Sequence, residues 1–124
     1  MMKIWKINGL ELVLDMEDAD TAERYEQAFE AMIKEENETK NIAKLSEKIR
    51  AYCRIFRNLY DRIFGEGTSA KIFENIPDNC SEYDKIYCDF LDFVKNQQSD
   101  SAQRRSGILA KYSPNRQQRR TKKK

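Results

Sequence analysis

The stretch 41–64 constrains this chain more than any other. Its apolar residues Ile42, Leu45, Ile49, Tyr52, Phe56, Leu59 and Ile63 recur at alternating spacings of three and four, the signature of one face of an α-helix. Cys53, Tyr60 and Phe64 widen that stripe beyond a coiled-coil seam, so the helix must bury a broad face. No Gly or Pro interrupts it, and Gly65 and Gly67 follow at once, placed to stop the helix and turn the chain. A left-handed residue after Phe64 and an open turn beyond it explain both glycines. The run 65–71 lacks the length, the preceding strand and the Lys-Ser/Thr ending of a phosphate-binding loop.

Residues 3–16 read as a β-hairpin. Asn8-Gly9 is the preferred pair for a type I′ turn, whose two central positions need positive φ. Folding about it pairs Ile7 with Leu10, Lys6 with Glu11, Trp5 with Leu12, Ile4 with Val13 and Lys3 with Leu14. Trp5, Ile7, Leu10, Leu12 and Leu14 then share the core face, opposite Ile4, Val13 and the Lys6–Glu11 charge pair. An isolated hairpin is marginal in water, so this one must lie on helices, extend a larger sheet or pair with another chain's edge.

Acidic and capping residues at 17–21 open a helix over 20–36, with Ala22, Tyr25, Phe29, Met32 and Ile33 as its apolar stripe. Residues 37–40 read as a short connection, which makes the first two helices an antiparallel pair; a single bent helix is the alternative. Beyond the glycines a short helix, capped by Thr68, ends ahead of Pro77. A last helix over 81–96, capped by Ser81, buries Tyr83, Ile86, Tyr87, Phe90, Leu91 and Val94. The expected fold is mainly α with a small N-terminal β-hairpin, an α+β arrangement of three to four helices bundled on the hairpin. The composition agrees: 40% apolar, 35% charged, four Gly and two Pro in 124 residues suit a helix-rich protein with a small core.

Charge is distributed unevenly. Nine of the 23 basic residues and none of the 21 acids fall after residue 100. That leaves 14 basic against 21 acidic residues in 1–100, an acidic body of net −7 and an arm of +9. The expected organisation is a helical domain over 1–98 and a basic, disordered tail over 99–124. Arg104, Arg105, Arg116, Arg119, Arg120, Lys122, Lys123 and Lys124 are candidates for polyanion contact through counterion release. The competing reading is a solubilising arm, or one that meets acidic protein surface, including this protein's own body.

Chemistry is hard to place on these residues. The chain has no His, the commonest acid–base group near neutral pH. Cys53, Cys80 and Cys88 lack the pairing of a zinc site and read as buried or half-buried reduced thiols. The carboxylate pairs Asp15/Glu17, Asp18/Asp20, Glu35/Glu36 and Asp89/Asp92 lack the alternation of a calcium loop and suit solvated faces. No catalytic residue, metal ligand or cofactor is expected, and the protein reads as a non-enzyme. No run approaches the roughly 18 apolar residues of a membrane span, and the first residues lack a signal-peptide pattern, so a cytoplasmic location is expected. Three helices and a hairpin bury a modest area. Tyr52, Phe56, Tyr60 and Phe64 exceed what one core face needs, so they are expected to divide between core and a surface for a partner helix or a second copy.

Several segments together resemble a known family. They are residues 3–9 running into the apolar strand, residues 18–26, the stretch from Ile49-Arg50 through Cys53 and Phe56, and the junction Asp61-Arg62-Ile63-Phe64-Gly65-Glu66-Gly67-Thr68 followed by Lys71-Ile72-Phe73. They resemble a family of small, largely uncharacterised proteins encoded among the tail genes of phages and prophages of Gram-positive bacteria. The resemblance spans roughly residues 3–95, with the Phe-Gly-Glu-Gly-Thr junction its most specific part; the basic arm lies outside it. It implies a tail-assembly, chaperone-like role in the bacterial host cytoplasm, with the tape-measure protein as partner, and brings no catalytic residues. A protein of that kind covers long apolar helices until tube subunits replace it. The exposed seam read from the residues makes self-association into a homo-oligomer the expectation when it is unoccupied. The alternative function is a nucleic-acid-associated phage protein acting through the arm.

Overall fold

A computed structural model describes residues 3–111. A two-stranded antiparallel hairpin, β1 (Ile4–Ile7) and β2 (Leu10–Val13), is followed by helices α1 (Ala19–Glu38), α2 (Leu45–Phe64), α3 (Thr68–Ile72) and α4 (Cys80–Lys111). The fold is therefore α+β and mostly helical, as expected.

The hairpin register is Ile7↔Leu10, Lys6↔Glu11, Trp5↔Leu12 and Ile4↔Val13, and the Leu14 N–H closes the ladder on the Lys3 carbonyl at 2.8 Å. Asn8 and Gly9 have φ of 48° and 80°, as a type I′ turn demands. Trp5 and Leu14 are fully buried, Ile7, Leu10 and Leu12 pack on the core, and Val13 faces outward. Of the three options for the hairpin, lying on the helices is the one realised. Trp5 stacks on Tyr60 and Phe64, at centroid distances of 5.7 and 5.9 Å, and meets Phe90 edge-on at 5.0 Å. Its indole N–H donates to Asp89 at 2.8 Å. The Asn8 side chain donates to the Ile72 carbonyl at 2.7 Å, which pins the hairpin tip to the end of α3.

Helix α1 begins at Asp18, whose carboxylate accepts from the Thr21 N–H at 3.0 Å. Thr39 closes it, its hydroxyl donating to the Glu36 carbonyl at 2.7 Å. The chain then reverses, and α2 runs back along α1. Arg24, near the start of α1, donates to the Ile63 carbonyl at the end of α2 at 2.9 Å. The antiparallel pair is realised, but α2 starts at Leu45 rather than at 41. Residues 41–44 are taken up by the reversal, in which the Lys40 and Ile42 N–H groups donate to the Asn37 and Thr39 carbonyls at 3.4 and 3.2 Å.

Gly65 and Gly67 both have positive φ, 117° and 90°. Gly67, not Gly65, is the left-handed residue, and it takes the N-cap position of α3 expected of Thr68. The side chain that serves the start of α3 is Asp61, which accepts from the Ser69 N–H at 2.8 Å. Asn79, not Ser81, caps α4, accepting from the Glu82 N–H at 3.1 Å. That helix also runs far past 96 and across the expected boundary at 98, as one element to Lys111.

The extension of α4 has a physical cause that its composition hides. Gln97 is 1% exposed. Its amide accepts from the Met16 N–H at 2.6 Å and donates to the Leu14 carbonyl at 2.9 Å, serving the backbone where the hairpin ends. One turn on, Ser101 is buried, and Arg104 then pairs with Glu17. Polar residues hold this part of the helix to the body. The segment 105–111 continues beyond it, exposed on all sides.

Candidate functional site

The long seam of α2 divides along its length. Phe56, Leu59, Tyr60 and Ile63 are 2%, 0%, 0% and 1% exposed, whereas Tyr52 is 37% and Leu45 73% exposed. Phe56 and Tyr60, expected among the partner-facing residues, are therefore core. Phe56 lies against Tyr87 and Tyr60 against Phe90, at centroid distances of 4.8 and 5.5 Å. Phe64 is half-buried beneath Trp5. Of the four candidates only Tyr52 presents much of its ring outward. The hairpin face and α4 together supply more apolar area than the spacing of α2 alone foretells, and that added area buries the rest.

Tyr52 stands at the edge of a cleft of about 280 Å³ between α1, α2 and α4. Phe29, Met32, Ile33 and Glu36 form its α1 wall, Tyr52, Ile55 and Phe56 its α2 wall, and Tyr87 closes it from α4. Ile33, expected on the buried stripe, is 60% exposed on the outer lip. Leu91, one turn beyond Tyr87, is 36% exposed. The Tyr52 hydroxyl donates to Asp84. Burial first, then this carboxylate, pushes the Tyr52 pKa well above its ordinary value, so the group stays an uncharged donor. Burial likewise raises Tyr87. The cleft is thus apolar and aromatic at its base, with carboxylates of Glu36 and Asp84 at its edge, suited to holding aliphatic side chains.

A second cleft, of about 340 Å³, lies between β1 and α4 and is lined by Lys6 together with Asp89, Asp92 and Asp100. Here Asp89 is the acceptor for Trp5. The other carboxylate pairs read as solvated also have structural duties. Asp15 accepts from the Glu17 N–H at 3.0 Å, Asp18 caps α1, and Glu35 binds Arg62 and Asn58 at 2.7 and 2.8 Å. Among the described residues no group of three His, Cys, Asp or Glu side chains is placed to hold a metal ion. The cysteines are free; Cys53 is buried, Cys80 half-buried and Cys88, against expectation, exposed. Burial, with Asp78 adding to it, pushes the Cys53 thiol up to about 11, so the thiolate nucleophile is suppressed there.

Of the polyanion candidates, Arg104 is engaged with Glu17 and Arg105 lies on the exposed end of α4. Arg116, Arg119, Arg120, Lys122, Lys123 and Lys124 lie outside the described residues. The turn residues Asn8, Gly9, Gly65 and Gly67 hold the positions expected of them, with the roles of the last two exchanged. Sequence reasoning missed Gln97, which serves backbone atoms 81 and 83 positions away, and Asp61, which serves the Ser69 N–H across the glycine turn. The local signal for Gln97 was a polar residue on an otherwise apolar helical phase. Among the described residues no helix is long and apolar enough to cross a membrane.

A family model described as a family of unknown function (DUF6673) matches residues 8–123, taking in the hairpin turn, all four helices and the basic arm. No curated protein and no solved structure matches the chain.

Proposed function

We propose that this chain, which belongs to the family of unknown function DUF6673, is a non-enzymatic assembly factor that binds an apolar helix of a partner protein. The observation that carries this reading is the division of the α2 seam. Its second half is core, while Leu45 and Tyr52 in its first half remain exposed, Tyr52 on the cleft that Ile33 also lines. A helix presenting aliphatic residues at i, i+3 or i+4 and i+7 can lay them along Leu45, Tyr52 and Ile33 and set one into the cleft. The tyrosine hydroxyl and rim carboxylates leave the surface wettable when empty, which suits reversible binding.

The resemblance to phage tail-gene proteins makes the tape-measure protein the proposed partner and the bacterial cytoplasm the proposed location. The test is co-expression with tape-measure fragments. The wild-type chain is expected to keep a helical fragment in solution and to co-purify with it, and Ile33→Glu, on the exposed lip, to lose both. Equal performance by the variant, or no effect of the wild type, overturns the reading. If binding instead requires the basic arm and extends to DNA with a steep fall in salt, the nucleic-acid alternative replaces it.

A further inference from the structure

Among the described residues, the last two turns of α4 form a second unpartnered apolar feature. Gln97, Ser101, Arg104 and Ile108 fall on one helical stripe. The first three meet the hairpin exit and the chain after it, but Ile108 extends the stripe past the end of the body. Ile108 and Leu109 are 41% and 66% exposed, flanked by the cations Arg105 and Lys111. The segment 105–111 projects about 10 Å at 1.5 Å per residue.

This feature complements the α1/α2/α4 cleft. The cleft offers an apolar floor rimmed by Glu36 and Asp84, with Glu26 and Glu30 exposed on the adjoining face of α1. The helix end offers two aliphatic side chains between basic ones, and a cleft of about 280 Å³ is on the scale of a few such side chains. It cannot reach its own cleft. Tyr87 and Ile108 sit on one unbroken helix, about 32 Å apart along its axis. The geometry points to a second copy of this chain as the occupant: the α4 end of one molecule docks in the α1/α2/α4 cleft of the next. Such a contact is heterologous, so copies join head to tail into a ring or an open filament rather than a two-fold dimer. It rests on the cleft and the helix end alone, whatever partner the cleft later takes.

The full-length chain is followed by sedimentation velocity across a concentration series. The wild type is expected to grow beyond a dimer with concentration. Ile108→Glu/Leu109→Glu, altered at exposed positions, and Ile33→Glu, altered at the lip, are each expected to associate about tenfold or more weakly. An equimolar mixture of these two is expected to give a dimer and nothing larger, because one retains only its cleft and the other only its helix end. A monomeric wild type, variants that associate as it does, or a mixture that stays monomeric overturns the proposal. Should Ile33→Glu fail to fold, Glu36→Lys takes its place and is mixed with Arg105→Glu/Lys111→Glu. Each alone sets like charges against each other and is expected to associate weakly. The mixture restores opposite charges at both contacts and is expected to grow as the wild type does, and a mixture no larger than either variant alone overturns the proposal. The helix-end variant keeps its cleft, so its undiminished hold on a tape-measure fragment separates failure of this contact from failure of the proposed function.

Discussion

Replacing Gln97 with alanine removes two hydrogen bonds that tie the end of the hairpin to α4. The Met16 N–H loses an acceptor at 2.6 Å and the Leu14 carbonyl a donor at 2.9 Å, in a place where Leu14 and Gln97 are each 1% exposed. Leaving a buried polar group unsatisfied costs about 1–3 kcal/mol. Met16 is only half-buried and water partly replaces its partner, so the two losses together come to about 3 kcal/mol. That is a large share of the roughly 5–15 kcal/mol that holds a domain folded. In urea, with a slope of about 1–3 kcal/mol per M, the midpoint should fall by roughly 1–3 M. Gln98→Ala, on the neighbouring exposed position, should stay within about 0.5 kcal/mol of the wild type. Gln97→Glu adds a check on the donor. Its carboxylate faces the Leu14 carbonyl in a buried site, which raises its folded-state pKa. The variant should therefore be most stable below the unfolded pKa and lose stability as pH rises through the folded one. A midpoint for Gln97→Ala within experimental error of that for Gln98→Ala would show that the clamp does not hold the hairpin.

Four further outcomes follow from the same geometry. Gly65→Ala and Gly67→Ala meet nothing within 4 Å of the new Cβ, so any loss comes from backbone conformation alone. Gly65, at φ 117° and ψ 151°, should cost about 1–3 kcal/mol and left-handed Gly67 about 1, by urea denaturation. Tyr60→Phe removes a buried hydroxyl that has no hydrogen-bond partner among the described residues, so stability should hold or rise by up to about 1 kcal/mol. The side-chain and backbone hydrogen bonds of Thr21 hold the Asp18 carboxyl below its ordinary value. Its contribution to α1 is thus present above the unfolded pKa and lost as pH falls through the folded one, and Asp18→Asn should flatten that acid limb in circular dichroism. Thiol alkylation of the native protein should label Cys88 first and leave Cys53 unmodified until the chain unfolds, as mass spectrometry can show.

The hairpin was readable to the residue, because an Asn-Gly turn fixes both register and facing. The helices were readable wherever an apolar phase marks them. What the sequence hid was decided by contacts between distant residues. The extension of α4 past 96 has little apolar signal, since Gln97 binds the backbone of residues 81 and 83 positions away. The start of α2 was misplaced because a chain reversal, not a breaker, consumes 41–44. The candidate site was half legible. An excess of aromatics on the seam was apparent, but which of them the hairpin and α4 would cover depended on how those elements dock. Phe56 and Tyr60 went to the core, and the cleft lip fell to Ile33 on a different helix.

The claim that the exposed half of the α2 seam and the cleft beside it form a partner surface is tested most directly by co-expressing a helical tape-measure fragment with either the wild-type chain or Ile33→Glu. The soluble, co-purified fragment is then measured alongside the urea midpoint of each chain. The expected result is a large loss of bound fragment for the variant at an unchanged midpoint, because Ile33 is 60% exposed and adds little to the core. Equal recovery of the fragment with both chains would contradict the account.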